Sequence, residues 1–333
     1  VIDAVLESLA SEDKRFWRRA DEYWNARGGS YTDGGAFLFD VRPTENGGSE
    51  LVMTNKFGDV VDTHPNGDCK LMPAADESPL ELAKMDSNLA YFAVLEALPH
   101  MDWSEALATL EAIEANSASA GREWVWDLLT RLLDRRYDTG GLRRSLWLDF
   151  VDAALTRTLA SATHEPCDGF VGQRTLGHRP KPASDSQRIV IDARPYPPEG
   201  TESLALEMVS LNHVGWKRFV LLHCRGHRFI GNGFGPDTSD VRIDVFGAIG
   251  DYLGSGSDGM KVHMHGNAQD QVAQIHKSGE LVVHGDVGQC YGYGAKGGRL
   301  FVQGNAAGRP MINAVGSPKL VINGTALDYL AES

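Results

Sequence analysis

A six-residue phrase, x-Φ-x-Φ-x-G with Φ apolar, occurs five times in the C-terminal half of the chain. It reads RIDVFG ending at Gly247, KVHMHG at Gly266, ELVVHG at Gly285, RLFVQG at Gly304 and KLVING at Gly324. A period this constant, 19 or 20 residues, is the mark of a solenoid, in which each coil leaves an apolar face that only the next coil buries. The alternation within each phrase is that of a strand with its apolar residues on one side. Stacking the phrases predicts two interior columns, Ile243, Val262, Leu281, Leu300 and Leu320 in one, and Val245, Met264, Val283, Val302 and Ile322 in the other.

Glycines recur between the phrases as well, at Gly250, Gly254, Gly288, Gly292 and Gly308. A coil of about 19 residues turns sharply several times, and glycine adopts the positive φ angles of such corners without a Cβ penalty. The coil GNAQDQVAQIHKSG has Gln269 and Ala273 where its neighbours have glycine. A differently built corner is expected there, with Gln and Asp side chains bonding local backbone.

The first half has another character. Six of the seven tryptophans lie before residue 150, and 21 of the 37 glycines lie after residue 225, which marks two domains. SPLELAKMDSNLAYFAVLEAL reads as a helix with Ser78 as N-cap, Pro79 at the first position and Glu81 completing a capping box; Leu82, Met85, Leu89, Phe92 and Leu95 form its apolar stripe. Asp102 and Glu105 repeat the device, and REWVWDLLTRLLDRR and LRRSLWLDFVDAALTRTLAS follow as amphipathic helices separated by TGG. AFLFDVR and LVMTNKFGDVVD alternate and predict a small hairpin within about 36 to 62.

The resulting organisation is a mainly helical, partner-docking domain over 1–171, a linker over 172–187 and a solenoid over 188–333. The linker, GQRTLGHRPKPASDSQ, is polar, holds two prolines and has no period. After it, VIDA and FVLLHC read as buried strands on either side of a helix.

The net charge of −13 argues against a nucleic-acid partner, which clustered Lys and Arg would bind. No run of about 18 apolar residues suggests a membrane span, and acids interrupt the apolar start, so a cytoplasmic protein is expected. Cys69, Cys167, Cys224 and Cys290 stand far apart with no CxxC, which predicts free, mostly buried thiols. A chain that starts at Val1 and stops in LDYLAES reads as a processed or partial product.

The coil GDVGQCYGYGAKGGRLFVQG follows the pattern G-x-x-G-x-x-x-G-x-x-x-x-G-G-x-Φ-x-V-x-G closely and GAIGDYLGSGSDGMKVHMHG nearly so, with Met260 and Met264 where the pattern has Gly and Val, and IVIDAR followed by FIGNGFG leads into them. On these residues, the run from about Ile189, some 145 of the 333 residues, resembles the glutamate synthase C-terminal, or GXGXG, domain. The resemblance implies a right-handed β-helix, and so an α+β chain: a mainly helical N-terminal domain with a small hairpin, followed by that solenoid. In glutamate synthases the domain separates and positions the amidotransferase and synthase domains. In formylmethanofuran dehydrogenase and N-methylglutamate synthase it is a separate subunit. The catalytic cysteine, flavin barrel and iron–sulfur cysteines of glutamate synthase have no counterpart here. The resemblance therefore implies an accessory subunit that binds no cofactor alone, and other protein subunits that hold a flavin, iron–sulfur, molybdenum or tungsten group. A segment of a true glutamate synthase is the alternative.

Three candidate sites come from the residues themselves. GYGAKGG lacks a G-x-x-x-x-G-K-[ST] and leads into a strand, so it reads as solenoid corner in preference to phosphate loop. His263 and His265 share the outer face of one strand, and His284 falls one coil on beside His265; the three would bind a metal, as in a metal-dependent enzyme, or form a polar ladder on a covered face. The same face carries Phe246, Gln303 and Asn323 in one line and Asp244, Val282, Phe301 and Val321 in the other, too apolar to be left wet. HCRGH offers His223, Cys224 and His227, of which two could share a metal, with no third ligand in view. Asp86, Glu96 and the acids of EALATLEAIEA read as solvated helix faces.

Overall fold

The computed structural model describes residues 38–43, 49–54, 70–71, 82, 85–160, 169–173 and 176–332. The described residues divide between Arg174 and Thr175 into two compact units.

The first unit opens with strands β1 (Leu38–Pro43) and β2 (Ser49–Thr54), an antiparallel pair in register from Leu38 opposite Thr54 to Pro43 opposite Ser49, as the alternating sequence predicts. A short β3 (Lys70–Leu71) pairs with β2. Four helices follow, α1 (Ser87–Ala97), α2 (Trp103–Ala115), α3 (Arg122–Asp134) and α4 (Arg144–Ala160), and Phe170–Gly172 forms β4. The capping box of α2 is present: the Asp102 carboxylate accepts the Glu105 amide at 2.9 Å and Glu105 accepts the Asp102 amide at 2.9 Å. In α3, Val125, Leu128, Leu129 and Leu132 recur at helical spacing and are buried, and the helix packs on α1 and α4.

The start of α1 is a correction. Ser78, Pro79 and Glu81 lie outside the described residues, and the N-cap is Asp86, whose carboxylate accepts the amides of Asn88 and Leu89 at 2.9 and 2.8 Å. The helix starts eight residues later than expected, and another face is buried. Ala90, Tyr91 and Val94 become the buried face, while Leu89 and Phe92, placed in the core by the sequence reading, are exposed.

The second unit is a right-handed parallel β-helix. Its strands are β5 (Arg188–Asp192), β6 (Arg218–Arg225), β7 (Arg242–Ala248), β8 (Asp258–His265), β9 (Ser278–Val283), β10 (Arg299–Val302) and β11 (Lys319–Ile322), each paired with the next; α5 (Leu204–His213) connects β5 to β6. Both predicted columns are present and extend two strands earlier, through Ile189 and Phe219 in one and Ile191 and Leu221 in the other. From Ile189 to Val302 the side chains of both columns are buried, each worth roughly 1.5–3 kcal/mol relative to an exposed position. A second line of contact, Ile249, Ala268, Val287, Ala306 and Ala326, links the coils two residues past each phrase. The segment read as a linker packs within this unit from Leu176 onward: Pro180 accepts the Trp216 indole N–H at 2.6 Å, and Asp185 accepts from Arg218 at 3.0 Å.

The corners repeat one backbone device. After each of the strands β6 to β10 three alternate residues have positive φ, as in Tyr252, Gly254 and Gly256, or Cys290, Gly292 and Gly294. Their amides point alternately along the stack. Tyr252 donates forward to Asp270 O at 3.1 Å, Gly254 backward to Ile230 O at 2.8 Å and Gly256 forward to Gln274 O at 2.6 Å. Gln271, Ala273 and Ile275 do the same, donating to Gln289, Leu253 and Tyr293 at 2.8 Å each. The corner at Gln271, Ala273 and Ile275 is therefore built like the others, against expectation, because two bonds forward and one back hold L-residues in a conformation they otherwise avoid. Asp270 bonds between coils, accepting the Gln289 amide at 2.8 Å.

One prediction follows at Ile275, a β-branched residue with φ of 54° whose side chain is 42% exposed. Ile275→Gly is expected to stabilise the protein by about 1 kcal/mol, since relief of left-handed strain exceeds the small loss of burial and the added backbone entropy. Chemical denaturation measures it.

Among the described residues no helix is long and apolar enough to cross a membrane. Cys69 and Cys167 lie outside the described residues; Cys224 is a buried and Cys290 a half-buried free thiol.

Candidate functional site

The outer face of β7, β8 and β9 gathers the three histidines. The pleat places His263 and His265 on one side of β8, and the register sets Asp244 beside His263, Phe246 beside His265 and Val282 beside His263. The Phe246 and His265 rings stack at 4.3 Å and 11°, and His265 stacks on His284 at 5.1 Å and 7°. The His263 ring centre lies 6.0 Å from that of His265 and 5.6 Å from that of His284. His263 Nδ1 and His284 Nε2 are 3.4 Å apart.

Beneath them sits a charged pair that sequence reasoning missed. Asp244, 1% exposed, accepts two hydrogen bonds from Arg242 at 2.9 Å each, and its Oδ1 lies 3.2 Å from His265 Nε2. Burial alone would raise the carboxyl, but the bonds from His265 and Arg242 hold it well below the usual carboxylate range. An acid in an otherwise apolar strand was the available signal: Arg242 and Asp244, two apart, share one strand face. Burial drives the His263 imidazole down to about 4 against the pull of Asp244, and Arg242, His265 and His284 lower it further. It is therefore neutral at pH 7. The face is covered at one end and open at the other: Phe246 is buried and Val321 is 48% exposed.

The other candidates resolve into structural roles. His223 faces Asp192 at 3.2 Å, where β6 carries a register shift between Leu221 and Cys224. His227 is buried; its Nδ1 accepts the Arg225 amide at 3.0 Å and its Nε2 meets the carbonyls of Ala193 and Tyr196 at 3.0 and 3.1 Å. Burial pushes the Cys224 thiol far up, away from the thiolate a metal would need. In GYGAKGG the amides of Gly292, Gly294 and Lys296 donate to Val272, Ile312 and His276, so a phosphate would find them engaged. Of the acids read as solvated, Asp86 caps α1, Glu105 completes the α2 box and Glu114 holds Arg157 through two hydrogen bonds.

Two further features lay outside the sequence reading. Inside the solenoid, fully buried His276 shares a 2.5 Å hydrogen bond with Ser257 of the preceding coil. Beside α5 a cleft of about 410 Å³ is lined by Arg179, Tyr196, Ser203, Leu206, Glu207 and Ser210, and in it Arg179 grips the buried Glu207 carboxylate at 2.6 and 3.1 Å.

The five phrase-ending glycines fall at one point of successive coils, where close approach of the neighbouring coil, more than φ, calls for glycine. Gly247 has φ of 110°, whereas Gly266, Gly285, Gly304 and Gly324 do not have positive φ. At Gly285, Gly304 and Gly324 a Cβ would collide with the Oδ1 of Asn267, Asp286 and Asn305 and with the carbonyl of the preceding phrase glycine. These side chains form a ladder: Asn267 accepts the Asp286 amide at 2.7 Å, Asp286 the Asn305 amide at 2.6 Å, and Asn305 the Thr325 amide at 2.9 Å.

Compared with known proteins, the chain matches no family model, no curated protein and no solved structure.

Proposed function

We propose that the chain is a non-catalytic subunit or segment whose β-helix serves as a rigid scaffold within a larger oxidoreductase or amido/C1-transfer assembly of the glutamate-synthase-like kind. One observation carries this reading: the polar side chains of the coils bond one coil to the next. The ladder from Asn267 to Thr325, the Asp251–Asp270–Gln289 series and the Ser257–His276 pair all run along the stack. Side chains held in this way stiffen a solenoid, whose stability is the sum of its coils and their interfaces. The likeness of its coils to the GXGXG pattern supports the choice of assembly, and in that setting the cofactor chemistry belongs to the partner subunits.

Gentle purification of the native protein tests the proposal. Co-purification at fixed stoichiometry with subunits carrying flavin, iron–sulfur, molybdenum or tungsten groups is expected. A monomer without such subunits, or turnover by the isolated chain, overturns it.

A further inference from the structure

We propose that the open half of the outer sheet face, from β8 to β11, is the docking surface for an acidic amphipathic α-helix of a partner protein. The inference deepens the scaffold reading by naming where a partner is held. Its test on the isolated chain does not depend on which assembly that chain belongs to.

The first observation is an apolar row that runs out of a dry surface. One outward-facing line of the sheet begins with Val190, Val220 and Asp244, each at most 1% exposed. In the same register it reaches Val282 and Phe301, both half-buried, and Val321, 48% exposed. An apolar row of this kind marks an interaction surface.

The second is charge. Beside the row the first residues of the phrases form a parallel line, Lys261, Glu280, Arg299 and Lys319. Arg299 pairs with Glu280 at 2.9 Å, whereas Lys261 and Lys319 are exposed and have no ion pair among the described residues. Lys296, also exposed, lies just before β10, and Lys277 just before β9 stands 3.9 Å from Asp258. This flank sets five cations against two carboxylates on a chain with a net charge of −13. On the other side of the row Gln303 and Asn323 are uncharged. Positive charge on one side of an apolar row complements a helix with an apolar stripe and acids along one flank. The interspersed carboxylates and the overall negative charge oppose a nucleic acid, whose phosphates call for clustered Lys and Arg.

The third is pitch. Adjacent strands stand about 4.8 Å apart, and an α-helix rises about 5.4 Å per turn. A helix lying across the strands therefore offers about one turn to each of β8 to β11.

The probe is a fluorescein-labelled peptide of about five helical turns, with a leucine stripe and glutamates along one flank, titrated with the full chain and read by anisotropy. Saturable one-to-one binding is expected, weakening several-fold between ionic strengths of about 0.01 and 0.15 M. Lys261→Glu/Lys319→Glu breaks no ion pair among the described residues and should weaken binding about 10-fold. A peptide with lysine in place of glutamate should bind that variant better than it binds the unaltered protein. Val321→Asp, at an exposed position, should weaken binding of the acidic peptide by about 10-fold or more. Matching denaturation midpoints certify that the variants are folded. Absence of binding, equal binding of a scrambled peptide of the same composition, or undiminished binding by both variants overturns the surface. So does tighter binding of a DNA strand of about 20 nucleotides, or self-association of the chain that Val321→Asp abolishes. Peptide binding without co-purifying cofactor subunits would sink the assembly and keep the surface, so the two readings fall separately.

Discussion

Gly285→Ala is expected to destabilise the β-helix by on the order of 3 kcal/mol, although it adds a single methyl at a residue that does not have positive φ. The added Cβ would sit 2.6 Å from the carbonyl oxygen of Gly266 and 2.8 Å from its carbonyl carbon, and closer still to Asn267 Oδ1. The Gly266 carbonyl cannot retreat, since it accepts the Gly285 amide at 3.0 Å, and Asn267 Oδ1 accepts the Asp286 amide at 2.7 Å. Relief requires opening two inter-coil hydrogen bonds, at about 1 kcal/mol each net, and spreading coils whose apolar columns are closed at Leu281 and Leu300. Gly256→Ala is the contrasting control. Gly256 has φ of 70° but no atom within 4 Å of its Cβ position, so only the left-handed cost of about 1–2 kcal/mol applies. Denaturant midpoints should rank the two variants in that order, and a thermal shift of roughly 6–12 °C for Gly285→Ala is expected from the entropy of a domain this size. Equal effects would mean that the close approach of Gly266 and Asn267 to Gly285 costs no more than a left-handed backbone does.

That contrast shows which parts of the structure were legible in the sequence. The solenoid was, because a pleated strand has period two and a stack of coils a period near 19, and both are written directly in the phrases from Gly247 to Gly324. Strands β5 and β6 were read as buried runs but not as coils of the same stack: the chain between them contains α5, which breaks the period without breaking the register. The start of α1 was misplaced because Ser78 and Asp86 both offer capping oxygens, and local pattern does not choose between them. At the site, the three histidines were found because they occupy equivalent strand positions. Asp244 escaped notice as a partner because its charge suggests solvent, whereas the structure buries it against His265 and the half-exposed Arg242. Ser257 and His276 lie outside the phrase, at a corner where side-chain direction is set by backbone that the phrase does not encode.

His276 is also expected to make the stability of the protein fall with acidification well above the carboxylate range. The ring is fully buried, its Nδ1 engaged by Ser257 at 2.5 Å, and burial lowers its proton affinity from the ordinary value of 6.5, outweighing the opposing influences of Gly279 and Asp258. A group whose folded value is depressed binds protons preferentially in the unfolded chain. Its contribution is intact above pH 6.5 and is lost as the pH falls from there towards the folded value, with a limiting slope of about 1.4 kcal/mol per pH unit. His276→Gln keeps a polar group opposite Ser257 and removes the titration. Its stability at pH 7.5 should drop by about 1–3 kcal/mol, through imperfect packing and hydrogen bonding at a buried site, while the decline between pH 6.5 and 5 becomes shallower. It does not vanish, because burial holds His263 down to about 4 and that residue titrates in the same sense. Ser257→Ala separates hydrogen bond from charge: it strips the partner from a buried nitrogen and should cost about 1–3 kcal/mol while leaving a titrating imidazole in place. Urea denaturation at pH 7.5, 6.5, 5.8 and 5.0 distinguishes the variants. A His276→Gln profile parallel to that of the unaltered protein would show that the buried ring does not control the acid limb.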